Sequence, residues 1–115
     1  MTYMLLIYQP TDYQPSESAG SEMFQAYMAY SEQLRKAGAF VDGAALVPPA
    51  SATTVRLREG KKLVTDGPFA ETKEWLGGFY VLECDSLDRA LELAADCPGA
   101  KYGSIEIRPF MEVPD

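Results

Sequence analysis

The sequence predicts an α+β domain: a ferredoxin-like split βαβ arrangement with an inserted β-hairpin, two copies of which form a dimeric α/β barrel. Three observations carry this. Residues 3–8 and 78–84 are apolar on both alternating faces, the mark of central strands covered on two sides. Each is followed by a segment with apolar residues at three- and four-residue spacing, and then by a further strand pattern. Between the two halves, an alternating run broken by Glu59-Gly60 reads as a hairpin. A length of 115 residues points to one domain, residues 1–115. Such a chain buries roughly two-thirds of its unfolded surface, enough for a core without staples.

Taken in order, residues 3–8 form the first strand and residues 9–20, rich in Pro, Ser, Asp and Gln, a loop. A helix is expected over residues 21–37, capped by Ser21, with Glu22 at the positive end of its dipole. Its apolar stripe is Phe24, Tyr27, Met28, Ser31 and Leu34. Arg35 and Lys36 suit the last turn, and Gly38 closes it in the left-handed conformation. Residues 40–46 read as the second strand, interrupted at Gly43 and stopped by Pro48-Pro49. Residues 53–58 and 62–65 form the hairpin, and residues 78–84 the second central strand. Asp85 or Ser86 caps a second helix whose inward positions are Leu87, Ala90, Leu91 and Ala94; Pro98-Gly99 ends it, and residues 104–110 form the last strand.

Right-handed crossovers place both helices on one face of the sheet. The other face then carries uncovered Tyr, Leu, Met and Phe side chains, together with Glu106 and Arg108. An uncovered apolar face calls for a partner, and the simplest is a second copy related by two-fold symmetry.

Composition removes several classes of function. Ten basic against seventeen acidic residues give a net charge of −7, which disfavours direct nucleic-acid binding. The absence of histidine rules out Ser-His-Asp and Cys-His catalytic units, the usual His-containing zinc sites and haem on a proximal His. Cys84 and Cys97 are too few for a disulfide scaffold and read as buried small hydrophobes. The chain opens on a strand pattern, and no apolar run approaches the roughly 20 residues that span a bilayer. The expectation is therefore a cytoplasmic protein with reduced thiols, no membrane contact, no metal and no cofactor.

The segment that bears chemistry is Asp66-Gly67-Pro68-Phe69-Ala70-Glu71-Thr72-Lys73-Glu74. Three carboxylates and a lysine surround a Gly-Pro turn, and loops held by a rigid scaffold are where function concentrates. Asp66 either makes an Asx-turn or presents a carboxylate at the mouth of a barrel cavity, as base or ligand anchor. Glu71 and Glu74 would share a face in a helical turn; Lys73 between them argues for ion pairing over cation binding. Trp75 is a core lid or an interface anchor, and Gly77-Gly78 bend the chain into the strand that follows. Arg108 either pairs with strand neighbours or offers a fork to a ligand carboxylate or phosphate. Arg56 and Arg58 read as edge-strand charges that block aggregation.

Residues 64–74, followed by Gly77-Gly78-Phe79-Tyr80, resemble the signature of the DGPF group of the YCII-related family. Residues 4–8, 52–56 and 107–112 resemble its opening strand, the segment ahead of its hairpin and its C-terminal strand. The resemblance implies a dimeric α/β barrel without naming a reaction. In the wider family a His and an Asp are read as enzymatic. Here there is no His, and Cys97-Pro98 stands where those relatives read Asp-Pro. Relatives of the DGPF group occur fused to or beside sigma factors, which implies a link to transcription through protein contacts. The reading is thus a homodimer that binds a small molecule or a protein partner such as a sigma factor. The alternative is a small enzyme in which Asp66, with Arg108 or Lys73, moves a proton on a small polar substrate.

Overall fold

Among the described residues, six strands and two α-helices follow one another as expected. The computed structural model describes residues 1–12, 16–68, 70 and 72–114. Phe69 and Glu71, both singled out above, lie outside the described residues. The strands are β1 (Thr2–Pro10), β2 (Phe40–Ala45), β3 (Thr53–Arg58), β4 (Lys61–Asp66), β5 (Glu74–Glu83) and β6 (Ser104–Pro109); the helices are α1 (Glu17–Lys36) and α2 (Leu87–Ala95). The main sheet is antiparallel throughout, in the order β2-β5-β1-β6, which is the ferredoxin-like order once the inserted β3–β4 hairpin is set aside.

Strand β1 alternates as a central strand between two environments should. Tyr3, Leu5 and Ile7 are buried, whereas Met4, Leu6 and Tyr8 are half-covered. Leu5 and Ile7 join Tyr30 and Leu34 of α1, Leu93 and Ala94 of α2, Tyr80, Leu82 and Cys97 in one core. Both helices therefore lie on one face, as the crossover rule requires. The core's polar atoms are paired. The Tyr30 hydroxyl donates to the Leu93 carbonyl at 2.7 Å, and the Ser31 and Tyr80 hydroxyls share a hydrogen bond of 2.8 Å. The Tyr30 and Tyr80 rings meet edge to face at 5.3 Å, and the Arg35 guanidinium lies 4.5 Å over the Phe40 ring.

Several expected boundaries shift. Helix α1 begins a turn earlier than Ser21. Ser16 is the cap, its Oγ accepting from the Ala19 N–H at 3.2 Å with Glu17 in the first turn, and Gly20 is absorbed into the helix. Strand β5 begins at Glu74, so Trp75 and Leu76 are strand residues and Gly77-Gly78 lie inside the strand. The glycines serve close approach: a Cβ on Gly77 would meet the Gln9 amide, and one on Gly78 the Ala44 carbonyl, beside a register shift at Ile7/Tyr8. The helices are also rolled relative to the expected stripes. In α1, Tyr30 and Leu34 are buried while Phe24 and Met28 are exposed; in α2, Leu93 is buried while Leu87 and Leu91 are exposed. The hydroxyl bonds of Tyr30 and Ser31 pin α1 at that rotation. The small faces of Ala90 and Ala94 set α2 close to its neighbours. Gly38, at φ +72°, ends α1 as expected, and Ser86 caps α2.

The register fixes what the uncovered face presents. Met4, Val81 and Arg108 are neighbours across the strands, as are Leu6, Phe79 and Glu106, and then Tyr8, Leu76 and Ser104. The β3–β4 hairpin turns through Glu59 (φ +52°) and Gly60 (φ +77°), the pair of left-handed residues that a two-residue turn needs.

Candidate functional site

The segment from Leu46 to Lys73 replaces what would otherwise be a short turn between β2 and β5, and it folds back over one end of the uncovered sheet face. Two backbone ties hold it there: the Leu46 N–H donates to the Gly77 carbonyl at 2.9 Å, and the Thr11 N–H to the Lys73 carbonyl at 3.1 Å. Two more close the segment on itself: the Gly67 N–H donates to the Ala52 carbonyl at 2.6 Å, and the Thr54 hydroxyl to the Gly67 carbonyl at 2.8 Å. Gly67 has φ +96°, a conformation a side chain would strain, and Pro68 follows it. The Gly-Pro turn is thus stapled through its backbone to the start of the hairpin. The Asp66 side chain makes no hydrogen bond to any described residue.

The fold-back leaves a cleft of about 720 Å³. Its floor is the sheet: Tyr8 of β1 with Glu74, Trp75 and Leu76 of β5. One wall is the β2–β3 connection, through Leu46, Val47, Pro49 and Ala52. The other is the signature loop, through Pro68, Ala70 and Thr72. This volume is in the range of small-molecule sites, and like them the cleft is mainly apolar with a few polar groups. Glu74 is the one carboxylate among its described lining residues. It is half-buried, and its Oε1 accepts from the Ser104 hydroxyl at 3.3 Å, which orients the side chain across β1 toward β6. The Thr72 hydroxyl donates to the Glu74 carbonyl and ties the loop to the start of β5.

The residues proposed from sequence divide accordingly. Pro68 and Glu74 line the cleft. Gly67 shapes it from behind. Asp66 ends β4, is exposed and does not line it; Lys73 is exposed, with its backbone carbonyl engaged by Thr11. Arg108 lies on the uncovered face as expected, but beside Met4, whereas the cleft lies at the Tyr8 end. Tyr8, Leu46, Pro49 and Ala52 were not singled out as site residues. The available signal was the exposed apolar run ahead of Pro48-Pro49, which a plain linker would not need. Among the described residues, no group of His, Cys, Asp and Glu could hold a metal ion, and no helix is long and apolar enough to cross a membrane.

Fold and site together define a ferredoxin-like α+β protein whose inserted loop walls a ligand-sized cleft. The chain belongs to the YCII-related family, whose model matches residues 1–114. It is 41% identical over 97 residues to an uncharacterised protein of Rhizobium meliloti (strain 1021), covering 83% of this chain and 78% of that one. Among solved structures it resembles 5-chloro-2-hydroxyhydroquinone dehydrochlorinase (TftG) of Burkholderia phenoliruptrix AC1100 in complex with 2,5-dihydroxybenzoquinone. The TM-score is 0.57 at 16% identity, over 98% of this chain and 96% of that one. A likeness at that identity speaks for the fold alone.

Proposed function

We propose that this protein is a homodimeric binding module that takes a small, mainly apolar, ring-bearing molecule into the cleft between the signature loop and the β1–β5 floor. The observation that carries the reading is the cleft itself: about 720 Å³, apolar on most sides, with Tyr8 able to stack on a ring, Trp75 at its lining and Glu74 able to accept one hydrogen bond. The uncovered face with Met4, Leu6 and Phe79 supports pairing with a second copy, the arrangement that would complete a dimeric barrel. Occupancy would then be passed to a protein partner. A sigma factor is the candidate that the DGPF resemblance supplies, and transcriptional regulation the role.

A second reading is favoured by the structural neighbour, an enzyme seen with a small ring compound on the same fold. Here the protein would move a proton on such a molecule, with Asp66 as the general base in the sequence-based view, or Glu74 as the carboxylate that lines the cleft.

Trp75 is the chain's single tryptophan and lies in the cleft, so its emission reports occupancy directly. Titration with a panel of phenols, hydroquinones and benzoates is expected to give saturable quenching by a subset of them. Turnover of a quenching compound that is lost in Asp66→Asn or Glu74→Gln, with binding retained, would move the assignment to the enzyme. No change in Trp75 emission or melting temperature with any compound would refute the cleft as a site.

A further inference from the structure

The β3–β4 hairpin is built unlike the rest of the molecule. Every residue of β4, and all but Thr54 of β3, is exposed, including Val55, Leu57, Leu63 and Val64. The protein measures 47 × 47 × 19 Å with a radius of gyration of 16.2 Å, where a compact domain of this length has about 13 Å. The register gives the hairpin two distinct faces. Val55, Leu57 and Val64 fall on one, with Lys62 opposite Leu57; Arg56, Arg58 and Lys61 fall on the other with Leu63. Charge is segregated as well. Residues 56–62 hold four of the ten basic residues and one of the seventeen acidic ones, a net +3, which leaves −10 on the remainder of a chain whose total is −7.

We infer that this hairpin is an arm that clasps a second copy of the chain, its Val55-Leu57-Val64 face packed on the partner with Lys62 at that contact, and the positive field of the whole arm drawn to the partner's acidic body. The inference rests on the homodimer proposed above and adds the element that secures it. Two arguments select a second copy as the occupant. First, the arm's net +3 complements the −10 that every copy carries elsewhere. Second, the arm enlarges what the uncovered sheet face offers. Four strands of 9, 6, 10 and 6 residues, about 4.8 Å apart, present roughly 500 Å² in projection, against the ~800 Å² of accessible surface per partner of a standard stable interface. An exposed apolar arm rooted beside that face supplies the missing area. The root of the arm, Ala52, is also a wall of the cleft, so a clasped arm stiffens the site.

The test is sedimentation equilibrium on three variants beside the unaltered protein: Val55→Asp with Leu57→Asp; Arg58→Glu with Lys61→Glu and Lys62→Glu; and Phe79→Asp on the sheet face. The arm packs outside the core, so both arm variants should keep the far-UV circular dichroism of the parent. Each is expected to dissociate at least tenfold more readily, and the parent dimer should weaken with added salt. Arm variants that dimerise like the parent, while Phe79→Asp dissociates, would overturn the arm and leave the sheet-face dimer standing. A parent that is monomeric would overturn both. Binding of a short DNA duplex by the parent, lost on charge reversal with dimerisation unchanged, would assign the arm to nucleic acid instead and overturn the inference.

Discussion

Alkali should unfold this protein through a layer of tyrosines. Tyr27, Tyr30 and Tyr80 pack around Cys97 between α1 and the sheet. Burial is the main cause that pushes each phenol above its ordinary value of 10, and the neighbouring Cys97 adds to the shift. In the unfolded chain the same phenols lose their protons near pH 10. Above that pH the unfolded state therefore binds fewer protons than the folded one, and stability falls; below it the contribution is fully present. Each proton that the folded state keeps after the unfolded chain has lost it is worth about 1.4 kcal/mol per pH unit, less what solvent screening of these partly covered rings removes. Even one such proton is a noticeable share of the roughly 5–15 kcal/mol of a typical domain. Urea midpoints followed by far-UV circular dichroism at rising pH measure it, with phenolate absorbance recorded in parallel. Tyr30→Phe sharpens the test. It should cost about 1 kcal/mol at neutral pH through the lost bond to the Leu93 carbonyl, yet lessen the alkaline slope by about 1.4 kcal/mol per unit. Ionisation of all seven tyrosines near pH 10 with the circular dichroism unchanged would refute the packing argument.

Other substitutions probe separate parts of the account. Leu34→Ala, at a side chain with 0% exposure, should lower unfolding stability by about 3 kcal/mol in chemical denaturation. Ser16→Ala should cost about 1 kcal/mol and Ser21→Ala close to nothing, since the former caps α1 and the latter is an exposed residue within it. Thr54→Val removes the hydroxyl bond to the Gly67 carbonyl; a loss of about 1 kcal/mol in stability and a severalfold weaker quenching of Trp75 by a bound ring compound are expected.

What was legible in the chain was whatever depends on local pattern. The alternation of Tyr3, Leu5 and Ile7 against Met4, Leu6 and Tyr8, the positive φ at Gly38, the Glu59-Gly60 turn and the placement of Arg108 on the open face all follow from periodicity and turn chemistry. What was not legible depends on contacts distant in sequence. Ser16 and Ser21 are equivalent as caps until the first turn of α1 is placed. Leu91 and Leu93 are equivalent as inward residues until the roll of α2 is set by packing against β1 and α1. The signature loop was visible as a site, but its far wall was not. Leu46 reaches the cleft because it hydrogen-bonds Gly77, and Ala52 faces the signature loop because Gly67 hydrogen-bonds it, ties that no spacing rule announces. For the same reason Asp66 drew attention in the sequence while Glu74, eight positions on, is the carboxylate that lines the cleft.

Native mass spectrometry of the gently purified protein, beside its denatured mass, tests the central claim most directly. The account predicts a species of twice 12.7 kDa carrying a releasable small organic molecule, whose return to the stripped protein quenches Trp75. A monomer whose mass and Trp75 emission are both unmoved by ring compounds would contradict it.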